Sequence, residues 1–339
     1  MPVFAGGELN GWMIIGFVLA TGAVIGNDSL QTLGTYISSN HQTTPKGWQM
    51  LFLCVLTAVV LLLGWFLNNG DPAWGRLVVS GRSFPLPDPF TWVYVLPPVV
   101  ALLLTRWGAP LSTSFLVLCS FQPARVGALL ASSLVGYGIA FGLGLLVYGL
   151  GLWLLERRVR LRPELGDEEI RIWGVLQWCS TACLWSSWLV QDLANIFVFV
   201  PRRLDGLTMA ICTLVICLGL CLLVARGGGP VHTVLQSKSN TADLRSATLI
   251  DAVLALCLVG RGVVSSFPVS TTWVFLGLLA GREVALRIRL HSFKGLGSDP
   301  GSGGLVSLIG QDLGKAGVAL AVSLVVARGM HPLAVLTTG

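Results

Sequence analysis

Two acids stand in apolar surroundings, and each is followed at a similar distance by a run of hydroxyls. Asp28, in Ile25-Gly26-Asn27-Asp28, lies 85 positions before Thr113 of Ser112-Thr113-Ser114. Asp192, in Gln191-Asp192-Leu193-Ala194-Asn195, lies 79 positions before Thr271 of Ser270-Thr271-Thr272. A carboxylate at the centre of an apolar span costs roughly 2.5–3.5 kcal/mol on insertion scales, so such acids are functional candidates by default. The oxygens of Asn27, Asp28, Asp192 and Asn195, with Gln31 and Gln191 as further ligands, suit a hard cation. The triplets carry a different chemistry. Pro110 and Pro268 each stand two residues ahead of hydroxyls that lead into an apolar run, which is a helix-start pattern. A helix start offers unpaired N–H groups and a positive dipole end to an anion, and Ser112, Thr113, Ser114, Ser270, Thr271 and Thr272 can donate to a bound oxyanion. Taken singly, each triplet reads as a helix cap and each Asn-Asp as a turn. Their recurrence in the same order favours a site built between two repeats.

The elements that must position these residues are membrane spans. Hydrophobic residues make up 54% of the chain, charged residues 11%, and the mean hydropathy is +0.77. A soluble domain carries about 25% charged residues. A bilayer-crossing helix needs about 20 apolar residues. Ala131 to Leu155, Met50 to Leu67, Leu207 to Ala225 and Leu305 to Ala327 are candidate runs. By that length rule the chain accommodates roughly ten spans or re-entrant segments. The expected fold is an all-α polytopic membrane protein of two inverted repeats, about five spans each, with broken helices and re-entrant Pro-Ser-Thr helix starts. Gly22, Gly26 and Gly34 around the first motif favour a helix that unwinds midway and frees carbonyls for a cation.

Charge placement divides the chain. Glu156 to Arg171 is its densest polar stretch, with five arginines and five acids, and basic residues set orientation, so this linker is expected to be cytoplasmic. The expected organisation is an N-terminal transmembrane repeat over 1–155, a charged linker over 156–172 and a C-terminal repeat over 173–339. Arg282 to Lys294 reads as a second cytoplasmic segment, and Gly295 to Gly304 as a flexible link. Met1 to Ala20 has no Lys or Arg and runs on toward Asp28, unlike a cleavable signal.

Other residues carry less. The eight cysteines have no metal or disulfide spacing and read as small packing residues. The four histidines fall in loops or termini. No Lys/Arg run is interleaved with aromatics, so no nucleic-acid partner is expected. Gln311-Asp312-Leu313 reads as a helix start beside Lys315. Asp251 and Arg261, ten apart, are too distant to pair along one helix face; they are expected to pair with other helices or to lie near the interface, with a direct substrate role the lesser reading for Arg261. The twelve tryptophans fit interfacial anchors.

These motifs resemble the inorganic phosphate transporter (PiT) family of cation-coupled permeases. That family carries G-A-N-D-V-A-N-A early in each half and P-x-S-T-T-H further on. Gly26-Asn27-Asp28 matches the N-D core, Gly34-Thr35 the following G-T, and Asp192-Leu193-Ala194-Asn195 the D-V-A-N. Pro268-Val269-Ser270-Thr271-Thr272 matches the serine-threonine segment, and Pro110 to Ser114 matches it more loosely. The likeness runs from about Gly22 to Gly281. Ser29-Leu30-Gln31 stands where the family has V-A-N, Gln191 replaces an Asn, and Phe115 and Trp273 replace the two histidines.

The resemblance implies a multi-pass inner- or plasma-membrane symporter. It would carry phosphate, or sulfate as in some relatives, with Na+ or H+ as coupling ion, by alternating access. No cofactor and no metal beyond the transported cation is expected, and a homo-oligomer is left open. The lost histidines and altered first motif also fit a non-transporting subunit or assembly partner. No nucleophile–base pair or metal triad points to an enzyme.

Overall fold

A backbone in hydrocarbon must satisfy its own N–H and C=O groups, and within a single run only a helix does so. The computed structural model of the chain describes residues 9–40, 44–79, 83–106, 111–161, 165–227, 243–264, 268–291, 310, 314 and 317–330. Side chains at 28–31, 156, 159, 160, 263, 264, 290 and 291 lie outside that description, as do residues 311–313 and the start of the run at Leu305. Among the described residues there is no strand.

The helices are α1 (Gly11–Asn40), α2 (Lys46–Leu67), α3 (Leu96–Arg106) and the short α4 (Cys119–Phe121). Next come α5 (Val126–Val147), α6 (Trp153–Leu161), α7 (Asp167–Phe197) and α8 (Gly206–Ala225). The last three are α9 (Leu244–Val264), α10 (Thr271–His291) and α11 (Gly317–Met330). A π-turn, Ser114–Leu118, leads into α4, and another, Tyr148–Leu152, joins α5 to α6.

Among the described residues, three helices are long and apolar enough to cross a membrane: Lys46–Leu67, Pro123–Leu155 and Gly206–Ala225. They coincide with three of the four expected runs. A fourth span arises if Gly11–Asn27 and Thr32–Asn40, bent by 61°, count as one. This is fewer than the ten expected from length, and polar cargo is one reason: α7 and α9 bury Gln177, Gln191, Asp192, Asn195, Arg245 and Asp251, which lowers their hydropathy while keeping them inside the bundle. The outer faces are greasy instead. On α8, Leu207, Ile211, Leu214, Leu218 and Leu222 are exposed at three- and four-residue spacing, whereas Met209, Cys212, Ile216 and Leu220 are buried. That pattern puts a helical apolar stripe toward lipid and the polar groups toward protein.

The two motif helices differ. At the first motif α1 bends but stays helical from Gly11 to Asn40 rather than unwinding, and α7 runs unbroken from Asp167 to Phe197 through the second. Glycine content accounts for the difference, since Gly22, Gly26 and Gly34 line α1 and Gly174 alone lies within α7.

Helices α5 and α10 approach backbone to backbone. A Cβ on Gly144 would stand 2.7 Å from the Leu278 carbonyl, and one on Gly277 or Gly281 would collide with the Tyr137 or Phe141 carbonyl. Gly277 and Gly281 form a small-xxx-small pair, the means by which helices pack closely where lipid removes the hydrophobic drive. Gly281→Ala should therefore cost about 1–3 kcal/mol through overpacking. The detergent-solubilised variant should melt clearly below wild type, whereas Gly127→Ala, with nothing within 4 Å, should melt with it.

Candidate functional site

Near the end of α7, Asp192 and Asn195 are three residues apart and share a face. The Asn195 amide nitrogen donates to Asp192 Oδ1 at 2.8 Å, and also to Thr113 Oγ1 and Ser114 Oγ, both at 3.1 Å. The Thr271 hydroxyl donates to Asp192 Oδ2 at 2.6 Å. One amide thus ties the second-half acid to the first-half hydroxyls, and a second-half hydroxyl closes on the same acid. All of these residues are buried.

Leu111 makes the reciprocal link. Its carbonyl accepts from the Asn27 amide and, at 3.0 Å, from the Thr272 hydroxyl. Its N–H lies 3.5 Å from Asn27 Oδ1. Ser112 and Ser270 occupy a third kind of place. Each hydroxyl accepts, at 3.4 Å, from the N–H three residues on, that of Phe115 or Trp273, so both sit as helix caps. The Ser270 N–H in turn donates to Ser133 Oγ at 3.0 Å. The rings of Phe115 and Trp273 stand 6.4 Å apart, which brings the two triplets to one locus.

Gln191 is buried with its Nε2 3.5 Å from the Leu258 carbonyl. Its Oε1 and the Oδ1 of Asn195 are buried without a hydrogen-bond partner among the described residues. The Asn195 orientation is fixed, because only the nitrogen can donate to the Asp192 carboxylate. Of the twelve candidate residues, ten are placed in or beside this cluster. The side chains of Asp28 and Gln31 lie outside the described residues. Acid, amides and hydroxyls, expected as separate cation and anion sets, are here bonded to one another.

Two features lie outside the two motifs. Asp251 on α9 is fully buried and accepts from Thr35 Oγ1 at 2.6 Å, Thr181 Oγ1 at 2.7 Å and Gln177 Nε2 at 2.9 Å. Thr248 completes the set by donating to Gln177 Oε1 at 2.7 Å. This node joins α1, α7 and α9 through hydroxyls and an amide. The sequence singles out Asp251 as an acid that pairs with other helices, and the fold supplies the partners it leaves unnamed.

The other feature is Arg76. The turn that carries it has positive φ at Asn69, Gly70, Trp74 and Gly75. It is braced by Asp71, which accepts from the Ala73 N–H at 2.8 Å and the Gly75 N–H at 3.2 Å. Burial raises the Asp71 carboxyl above its ordinary range, against the pull of those N–H groups and the Arg202 charge. The turn sends Arg76 inward until it is 3% exposed, close enough to Asp192 for their charges to interact. Nothing in the local sequence marked it.

No protein-family model and no curated protein matches the chain's sequence. Among solved structures, the chain is similar to "The sodium-dependent phosphate transporter", with a TM-score of 0.61 and 14% identity. The match covers 96% of this chain and 98% of that one. The chain has the fold of that transporter. The transporter-like fold therefore persists at an identity where only short motifs remain readable.

Asn195→Asp replaces the shared donor with an acceptor and faces Asp192 with a second acid. Each acceptor left without a donor costs about 1–3 kcal/mol. The variant should show the largest loss of melting temperature among single substitutions in the cluster, measured in detergent at neutral pH; an unchanged melt would refute the bonding scheme.

Proposed function

We propose that the protein is a cation-coupled symporter of a small tetrahedral oxyanion, with inorganic phosphate first and sulfate second. The observation that carries this reading is the pair of partnerless amide oxygens, Asn195 Oδ1 and Gln191 Oε1, beside the buried Asp192 carboxylate. A buried acceptor without a donor is costly, and a bound cation removes the cost by taking it as a ligand. Sodium, or a proton on Asp192, meets that need. In this reading Asn27 and Asp28 supply the first-half counterpart, with Gln31 beside them.

The oxyanion would meet the hydroxyls of Thr113, Ser114, Thr271 and Thr272, with Ser112 and Ser270 holding the helix starts. Substrate binding would exchange the present hydroxyl–carboxylate bonds for hydroxyl–oxyanion and carboxylate–cation bonds. Binding of cation and anion would then be linked, because each releases groups that the other needs. The name of the structurally similar transporter supports phosphate and sodium as the pair. The proposed architecture is two inverted repeats, over 1–155 and 173–339, rocking around the site in the cell's inner or plasma membrane.

Proteoliposomes loaded with the purified protein should accumulate radiolabelled phosphate or sulfate under an inward sodium or proton gradient. No accumulation of either anion under either gradient, together with copurification of a stoichiometric partner, would favour the non-transporting subunit instead. Asp192→Asn should abolish or strongly weaken the cation dependence of uptake. Wild-type cation dependence in that variant would remove Asp192 from the cation site.

A further inference from the structure

Asp251 is fully buried on α9, and neither the cation set nor the anion set makes use of it. An ionisable side chain inside a membrane bundle is a candidate for ion traffic. Its Oδ2 accepts from Thr181 Oγ1 at 2.7 Å and from Gln177 Nε2 at 2.9 Å, and its Oδ1 lies 2.6 Å from Thr35 Oγ1. The Thr35 hydroxyl also stands 3.2 Å from the Thr32 carbonyl. It has one hydrogen for two acceptors.

A proton resolves that competition. On Oδ1 it would donate to Thr35 Oγ1, and the Thr35 hydrogen would turn to the Thr32 carbonyl. Oδ2 would keep both of its donors, as the carbonyl of a neutral acid does. With the proton gone, Thr35 turns back and the carboxylate holds three donors. A hydroxyl hydrogen rotates to suit its neighbours, so both states fit without moving a heavy atom. Gln177 is held in the orientation this needs, because Thr248 donates to its Oε1 at 2.7 Å.

Among the described residues, these three donors are the groups that act on Asp251, and no charge does. On α9, Arg245 pairs with Asp243 and Arg261 donates to Ser132. On α10, Arg282, Arg287 and Arg289 are turned to Tyr148, Glu283 and Gly149. Asp192 on α7 belongs to the cluster, while Asp167, Glu168, Glu169 and Arg171 stand in the first turns of that helix. Helix α6 carries Arg157 and Arg158, and α5 has no charged residue. The Asp28 side chain on α1 lies outside the described residues and, as an acid, adds no counter-charge.

We propose that Asp251 is a proton-binding site of the transporter, separate from the Asp192 cation site, which loads and releases one proton in each transport cycle. The proton comes from water and returns to water, and only the O–H bond on Oδ1 forms and breaks. This rests on the transporter reading above and deepens it. Thr35 lies in the segment of α1 beyond its bend. The charge on Asp251 therefore decides whether that hydroxyl is held by α9 or by its own helix. Proton loading is thereby linked to the bend at the first motif.

Asp251→Asn keeps the shape of the neutral acid, with an oxygen facing Thr181 and Gln177 and an N–H that can donate to Thr35. Infrared spectra of the detergent-purified wild type should contain the C=O band of a protonated carboxyl group, growing as pH falls. The difference between wild type and Asp251→Asn should isolate that band. In proteoliposomes the variant should lose phosphate and sulfate accumulation driven by an inward proton gradient. Its stabilisation by either anion should persist, since the hydroxyls of the two triplets are untouched. Thr35→Val removes the acceptor of the proton and should shift the band without abolishing it, which carries the test if Asp251→Asn does not fold.

Spectra that differ at no pH would overturn the proposal, because Asp251 would then hold no titrating proton. Sodium-induced stabilisation that disappears in Asp251→Asn would also overturn it and make the node a metal site. Accumulation driven by sodium alone, or proton-driven accumulation that the variant retains, removes the proposal and leaves the transporter reading standing. If the wild type neither takes up nor is stabilised by either anion, the transporter reading falls and the proposal with it.

Discussion

Burying the Asp192 carboxylate is the constraint around which the molecule is arranged. A charge that leaves water is stable only when surrounded by donors or a cation. Support arrives from four places: Asn195 one turn along α7, Ser114 in the first triplet, Thr271 at the start of α10, and the Arg76 charge from the turn after α2. Asn195 then passes the demand on, because its second N–H must also be used, and Thr113 and Ser114 take it. The two triplets are thus held against the same acid. The close contact of α5 with α10 fixes how far apart the two helix starts can stand.

Asp251 follows the same rule with different means. Its three donors come from Thr35, Gln177 and Thr181, and among the described residues it has no ion pair. Both acids lie on the inner faces of helices whose outer faces are apolar. The interior between these helices is largely apolar as well, so the few buried polar groups locate the site sharply. The aromatic pair Phe115 and Trp273, standing where the resembled family has histidines, closes the space between the triplets with apolar surface.

Much of this was legible in the chain. Composition and run length gave a helical membrane protein, and the runs at Met50 to Leu67, Ala131 to Leu155 and Leu207 to Ala225 became helices at those positions. The spacing of acids and hydroxyls singled out residues that the fold brings within hydrogen-bonding distance, as Asp192 and Thr271 show. The glycines marked where α1 departs from a straight helix, although it bends there and does not unwind. Legibility failed where the pattern was borrowed across halves, since α7 lacks the flanking glycines and stays unbroken.

What the sequence determined by itself were properties carried by local composition: which stretches avoid water, where helices begin, and which acids stand in grease. These depend on a residue and its near neighbours, so they survive without knowledge of the fold. Tertiary structure alone decided which donors meet which acids. Asn195 reaches Thr113 and Ser114 across more than eighty positions, and Arg76 reaches Asp192 only because a turn with four positive-φ residues points it inward. No short-range pattern encodes such meetings, because they are fixed by how helices pack rather than by the order of residues along any one of them.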